Sequence, residues 1–133
     1  MLDTLMTDLK TALSSMKSDG VAVFRQVSEY EGQFEDISEF TITPPSVFIE
    51  ITGGDLNSQG RAGAMSDQVS LYVTANHVKG RDHNSILKLI DSLRKELHNK
   101  QISQGFMKIT NFRRLGNFPG FITYEINFTY TEA

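Results

Sequence analysis

The chain has 133 residues, no cysteine and a net charge of −3. That length suits one domain, large enough to bury about two thirds of its unfolded surface without a disulfide or metal staple. The missing cysteines exclude disulfides, Cys-ligated zinc, iron–sulfur clusters and thiol nucleophiles, and fit a reducing cytosol.

No apolar run approaches the roughly 18 residues of a membrane span, and the start MLDTLMTDLK carries acids where a secretory signal has bases, so neither membrane insertion nor export is expected. The charge is unevenly spread: residues 1–67 hold 4 Lys/Arg and 11 Asp/Glu (−7), residues 68–133 hold 9 and 5 (+4). An acidic chain is poorly suited to nucleic acid, where affinity comes largely from neutralising phosphates. Two oppositely charged halves suit copies that meet head to tail, although scattered surface charge with no partner gives the same count.

Leu2, Leu5, Met6, Leu9, Leu13 and Met16 form one apolar stripe at helical spacing. Its polar face has too few bases for a membrane surface, so the spacing predicts a core-facing helix. Asp3 and Asp8 near its start and Lys17 near its end suit the helix dipole, and Gly20 is expected to stop it as a left-handed residue. Val21, Val23 and Val27 alternate with Ala22, Phe24, Gln26 and Ser28, predicting a strand with the valines inward. Arg25 interrupts that row, either reaching over the sheet edge to the following acids or facing solvent.

Glu29 to Glu39 holds five carboxylates, Glu29, Glu31, Glu35, Asp36 and Glu39, and no Lys or Arg. Glycoside hydrolysis needs two carboxyls facing across a cleft, which acids adjacent in a loop rarely provide. The order EYEGQFEDISE also lacks the EF-hand calcium pattern. Two readings remain: a solvated connection pinned by Tyr30, Phe34, Ile37 and Phe40, or an acidic docking surface for a basic partner.

Pro44-Pro45 removes two backbone donors and belongs at a sheet edge or where a strand begins. The run Ser46–Ile51 then places Val47, Ile49 and Ile51 on one face and Phe48 and Glu50 on the other, and Thr52-Gly53-Gly54 ends it. Residues 54–67 are polar and Gly-rich but lack both phosphate-loop patterns. Folded as a hairpin arm they reach about 20 Å. Leu56, Arg61 and Met65 would order on contact with a neighbour.

Gln68–Asn76 alternates cleanly, with Val69, Leu71, Val73 and Ala75 inward. His77 and His83 lie in a turn, and three histidines in the whole chain give no metal-ligand spacing. Asn84 caps a second helix, Ser85 to about His98, with the stripe Ile86, Leu89, Ile90, Leu93 and Leu97. His98, near Lys95 and Lys100, reads as a helix-end cation rather than a general base. Met107, Ile109 and Asn111 alternate with Lys108, Thr110 and Phe112, followed by Arg113-Arg114 and a turn over Leu115–Gly120. Phe121–Thr131 is the most regular strand and the candidate for the sheet's centre. Exposed aromatics near Arg113-Arg114 raise an RNA-binding sheet, but the aromatic signature of that class is absent.

The economical packing is a single α+β domain spanning 1–133. It is a mainly antiparallel sheet with two helices packed on one face, in the order α-β-β-β-α-β-β.

The pattern F-R-x-V-x-x-Y-x-G over Phe24–Gly32 is followed by Pro44-Pro45, V-F-I-x-I over Val47–Ile51, and Gly53-Gly54. Together these resemble the small tail proteins of Mu-like contractile-tailed phages and prophages. The strand Leu71–Asn76, the helix of residues 85–98 and the aromatic last strand follow in the same order, so the resemblance covers nearly the whole chain. Pro-Pro-Ser stands here where that family more often has a single proline and a small residue.

The resemblance implies a tail terminator. Such a protein forms a hexameric ring at the head-proximal end of the tail, stops tube and sheath growth, and joins the tail to the head connector. The implied partners are further copies of the chain, tail tube and sheath proteins, and the connector protein; neither direct nucleic-acid binding nor a membrane is implied. The implied location is the bacterial host cytoplasm during assembly, then the virion tail. No catalytic, cofactor-binding or metal residue carries over, and no enzyme is expected. Expected contact residues are Arg25, Glu29, Glu31, Glu35, Asp36, Glu39, Leu56, Arg61, Met65, Arg113 and Arg114. Another neck or completion protein is one alternative, and a small-molecule-binding domain or enzyme using the acidic loop is the other.

Overall fold

A computed structural model describes residues 2–18, 20–35, 41–54, 66–76, 84–98, 100–102, 105–118 and 121–132. Along the chain lie α1 (Leu2–Ser14), β1 (Lys17–Ser18), β2 (Val21–Ala22), β3 (Gln26–Glu29), β4 (Ser46–Gly54) and β5 (Ser66–Asn76). They are followed by α2 (Asn84–Leu97), β6 (Gln101–Ile102), β7 (Gly105–Phe118) and β8 (Phe121–Glu132). Six strands make one mixed sheet in the order β3-β4-β5-β8-β7-β6, and β1 pairs only with β2. β3 and β4 run parallel, and the other four pairings are antiparallel. A parallel pair needs a connection of about a dozen residues or more. The long link between Glu29 and Ser46 supplies it, bringing Ser46 back beside Gln26.

One face of the sheet is aliphatic and carries both helices. Spacing of three and four places Leu5, Leu9 and Leu13 on the inner side of α1, all buried, with Met16 buried just beyond the helix. Alternation gives Val47 and Ile49 from β4, Val69, Leu71, Val73 and Ala75 from β5, and Ile122, Ile126 and Phe128 from β8. Ile90, Leu93 and Leu97 of α2 close the same cluster. Each such side chain contributes about 1.5–3 kcal/mol by leaving water. β8 lies between β5 and β7 as its regular alternation predicts. α1 rests on β3 and β4 and also touches β6, so the sheet curls around that helix. The Tyr130 hydroxyl donates to the Ile102 carbonyl oxygen at 2.8 Å and fixes β6 in place.

Several expectations are corrected. Gly20 (φ +79°) does not cap α1; it sits in the turn between β1 and β2, where a left-handed residue is needed. The run from Val21 is not one strand. Val21 is 68 % exposed on the small hairpin, and the aromatic Phe24 takes the core position instead. The register of β7 slips at Thr110, between Ile109 opposite Phe128 and Asn111 opposite Asn127. This bulge moves Asn111 to the outer face and Phe112 to the helix face, opposite Ile126, reversing the simple alternation. Residues 115–118, expected in a turn, continue β7, with Phe118 opposite Phe121.

The expected arm falls in sequence between β4 and β5, whose pairing ends at Gly54 opposite Asp67; residues 55–65 lie outside the described residues. His77 and His83 lie outside them too. Among the described residues, no helix is long and apolar enough to cross a membrane.

Candidate functional site

The outer face of the sheet, opposite the helices, is where polar and aromatic groups converge. Cross-strand register sets Phe48, Tyr72 and Glu125 in one row, Glu50, Ser70 and Asn127 in the next, and Ser46, Thr74 and Thr123 in a third. Over this face folds the segment that follows β3. Phe34 lies edge-on to Phe48 at 5.5 Å and tilted to Tyr72 at 6.0 Å and Phe121 at 6.2 Å, while Tyr30 stands 4.4 Å from Tyr72. Such ring pairs add about 0.5–1.5 kcal/mol beyond their buried area.

Residues 30–35 are therefore seated on the sheet by the rings of Tyr30 and Phe34. Glu31 and Glu35 are exposed. Gln33, buried between them, accepts from the Glu31 N–H at 2.6 Å and donates to the Glu29 carbonyl at 3.1 Å. Gly32 (φ +85°) makes the turn, and its carbonyl accepts from the Glu35 N–H at 3.0 Å.

Under this cover the third row is fully buried. Ser46 and Thr74 share a short hydrogen bond between their hydroxyls, and the Ser46 N–H also donates to Thr74 Oγ1. Thr123 Oγ1 finds no partner among the described residues.

The rest of the face is a hydrogen-bonded polar surface. Tyr72 donates to Glu50 Oε1 at 3.0 Å. Ser70 donates to Asn127 Oδ1 at 2.6 Å, and Asn127 Nδ2 donates to Asn111 Oδ1 at 2.7 Å and Glu125 Oε1 at 3.2 Å. Glu125 also accepts from Arg113 Nε at 3.0 Å. Burial, and then the bond to Glu50, raises the Tyr72 phenol well above its ordinary value of 10.0. Tyr30 shifts the same way, through burial and then the nearby Glu35 charge.

The expected contact residues do not form one patch. Arg25 is exposed, its N–H extending the β3–β4 ladder to the Pro45 carbonyl at 2.7 Å. Glu29 pairs with Lys10 of α1 at 3.2 Å, inside the chain. Arg113 is on the outer face with Glu125, whereas its neighbour Arg114 is opposite Tyr124 on the helix face. Asp36, Glu39, Leu56, Arg61 and Met65 lie outside the described residues. His98, expected as a helix-end cation, accepts the Ile109 N–H at Nδ1 (3.1 Å), and the ring ties the end of α2 to β7.

Beside that tie runs a shallow groove between α2 and β7. One part, about 460 Å³, is lined by Asp91, Arg94, Lys95, His98 and Ile109. Arg94 and Ile109 are shared with the next part, about 300 Å³, which ends at Asn111 and Phe112. Phe112 is 43 % exposed there. The sequence reading missed Glu50, Ser70, Tyr72 and Asn127 as a group, since strands far apart in sequence bring them together. It also missed that Arg94 and Phe112 line one groove, which depends on the bulge at Thr110.

A mixed-sheet α+β domain with an acidic turn on one side and a basic, aromatic-ended groove on the other is thus the class defined by the fold. Compared with known protein families and with characterised proteins, the chain matches none.

Proposed function

We propose that this protein is a structural, self-assembling component of a contractile phage tail. In this reading it is a tail terminator, forming a ring at the head-proximal end, stopping tube and sheath growth and meeting the head connector. The observation that carries the reading is the separation of charge. The exposed carboxylates of Glu31 and Glu35 lie over the outer face, whereas Arg94 and Lys95 lie beside the helix-face groove. Surfaces that differ and do not overlap favour head-to-tail contacts, which close into rings when the rotation permits. The two helices on one sheet face and the resemblance described above support a tail-terminator-like fold and six-fold closure.

The arm belongs to the same proposal. Because β4 and β5 pair as far as Gly54 and Asp67, removing residues 56–66 spares every β4–β5 pair and costs the sheet only the end pair of Ser66 with Thr131. Phage carrying that deletion are expected to make tails of abnormal length or heads without tails, seen by electron microscopy. Normal virions from the deletion contradict the arm's role, and normal tails from a phage lacking the whole gene contradict the terminator reading.

A further inference from the structure

We infer that the groove between α2 and β7 is the acceptor for the acidic turn Glu31–Glu35 of a second copy of this chain; the inference rests on the self-assembly proposed above. The groove offers cations along one wall and an aromatic ring at its end. Among the described residues Arg94 is held only by Asp91 on its own helix, at 3.4 Å, and both side chains are about half exposed or more. An exposed pair of this kind contributes about 0–1 kcal/mol, so the guanidinium is readily redirected to an incoming carboxylate. Lys95 has no carboxylate within ion-pair distance among the described residues. Ile109 and Phe112 supply apolar surface on the opposite wall.

The occupant is set by charge. A net positive groove needs an acidic partner, and this chain presents one already shaped. Glu31 and Glu35 project from a turn whose other side chains, Gln33 and Phe34, are turned into the protein. Since the turn is ordered before contact, little conformational freedom is lost on docking. The turn lies over the outer face and the groove on the helix side, so a copy cannot fill its own groove while presenting both surfaces to neighbours. β-strand addition along β7 is the less favoured geometry. Its bulges at Thr110 and Leu115 and the charges of Arg113 and Arg114 are devices that blunt a sheet edge.

Two charge-reversed proteins test the pairing. One carries Arg94→Glu with Lys95→Glu, and so has an acidic groove and an acidic turn. The other carries Glu31→Lys with Glu35→Lys, and so has a basic groove and a basic turn. All four positions are exposed, and circular dichroism checks that both proteins fold. In sedimentation velocity at low salt, each alone is expected to associate roughly tenfold more weakly than wild type or worse. An equimolar mixture is expected to regain association, because each groove now meets a complementary turn. Wild-type-like association of either variant alone, or a mixture that stays dissociated, overturns the groove pairing but leaves self-assembly standing. A wild-type protein that is itself monomeric under these conditions overturns both.

Discussion

The two faces of the sheet are built on different principles. The helix face is dry and aliphatic, and its stability comes from area removed from water. The outer face is half aromatic cover and half polar network, and it depends on directional bonds such as Tyr72 to Glu50 and Ser70 to Asn127. The first kind of face tolerates swaps of shape within limits and punishes cavities; the second punishes a polar atom left without a partner. The acidic turn is fastened to the second face through the rings of Tyr30 and Phe34.

The largest test of this contrast is Leu9→Ala on the helix face. Leu9 is fully buried between α1 and the sheet, so the cavity should reduce stability by about 2–5 kcal/mol in urea unfolding. Phe34→Ala on the outer face should reduce it less, by about 2 kcal/mol, since the ring is only half-buried. It should also loosen the turn carrying Glu31 and Glu35, which hydrogen exchange of the Glu31 and Glu35 amides would register. An equal loss for both substitutions would erase the distinction between the faces.

Thr123→Val should act in the opposite direction. It replaces a buried hydroxyl that lacks a partner by a methyl of similar shape, with an expected gain of about 1 kcal/mol. A loss of stability would mean that the hydroxyl is bonded after all. Tyr72→Phe removes one hydrogen bond and should reduce stability by about 1 kcal/mol near neutral pH.

Tyr72 also gives the outer face a pH signature. Its phenol ionises above the ordinary value of 10.0 in the folded protein, so the folded state keeps a proton that the unfolded chain loses. The associated stability is fully present below about pH 10 and falls as pH rises through the folded value. Unfolding measured from pH 9 to 11 should therefore show a shallower decline for Tyr72→Phe than for wild type. Parallel curves would contradict that account.

The helix face was legible because α1, β4, β5 and β8 each repeat their apolar residues with the period of one element. Val47, Ile49, Val69, Leu71 and Ile126 could be placed inward before any pairing was known. The outer face was not legible in the same way. Alternation marks Ser46, Thr74 and Thr123 as outward, yet all three are buried, because a segment distant from β5 and β8 in sequence folds over them. Local period carries no information about what covers a face. The bulge at Thr110 is a second blind spot: one extra residue reverses the faces of Asn111 and Phe112, and nothing in KITNF marks it. The acidic turn was recognised by composition, but its ordering by Gln33 and Phe34 depends on contacts beyond its own sequence.

Self-assembly through surfaces of opposite charge is the central claim, and light scattering on the wild-type protein at low and moderate salt tests it most directly. Contacts between exposed charges are screened beyond about 8–10 Å at 0.1–0.15 M salt. The account predicts a closed oligomer at low ionic strength whose mass falls as salt is added. A particle that remains monomeric at high protein concentration and low salt would contradict it.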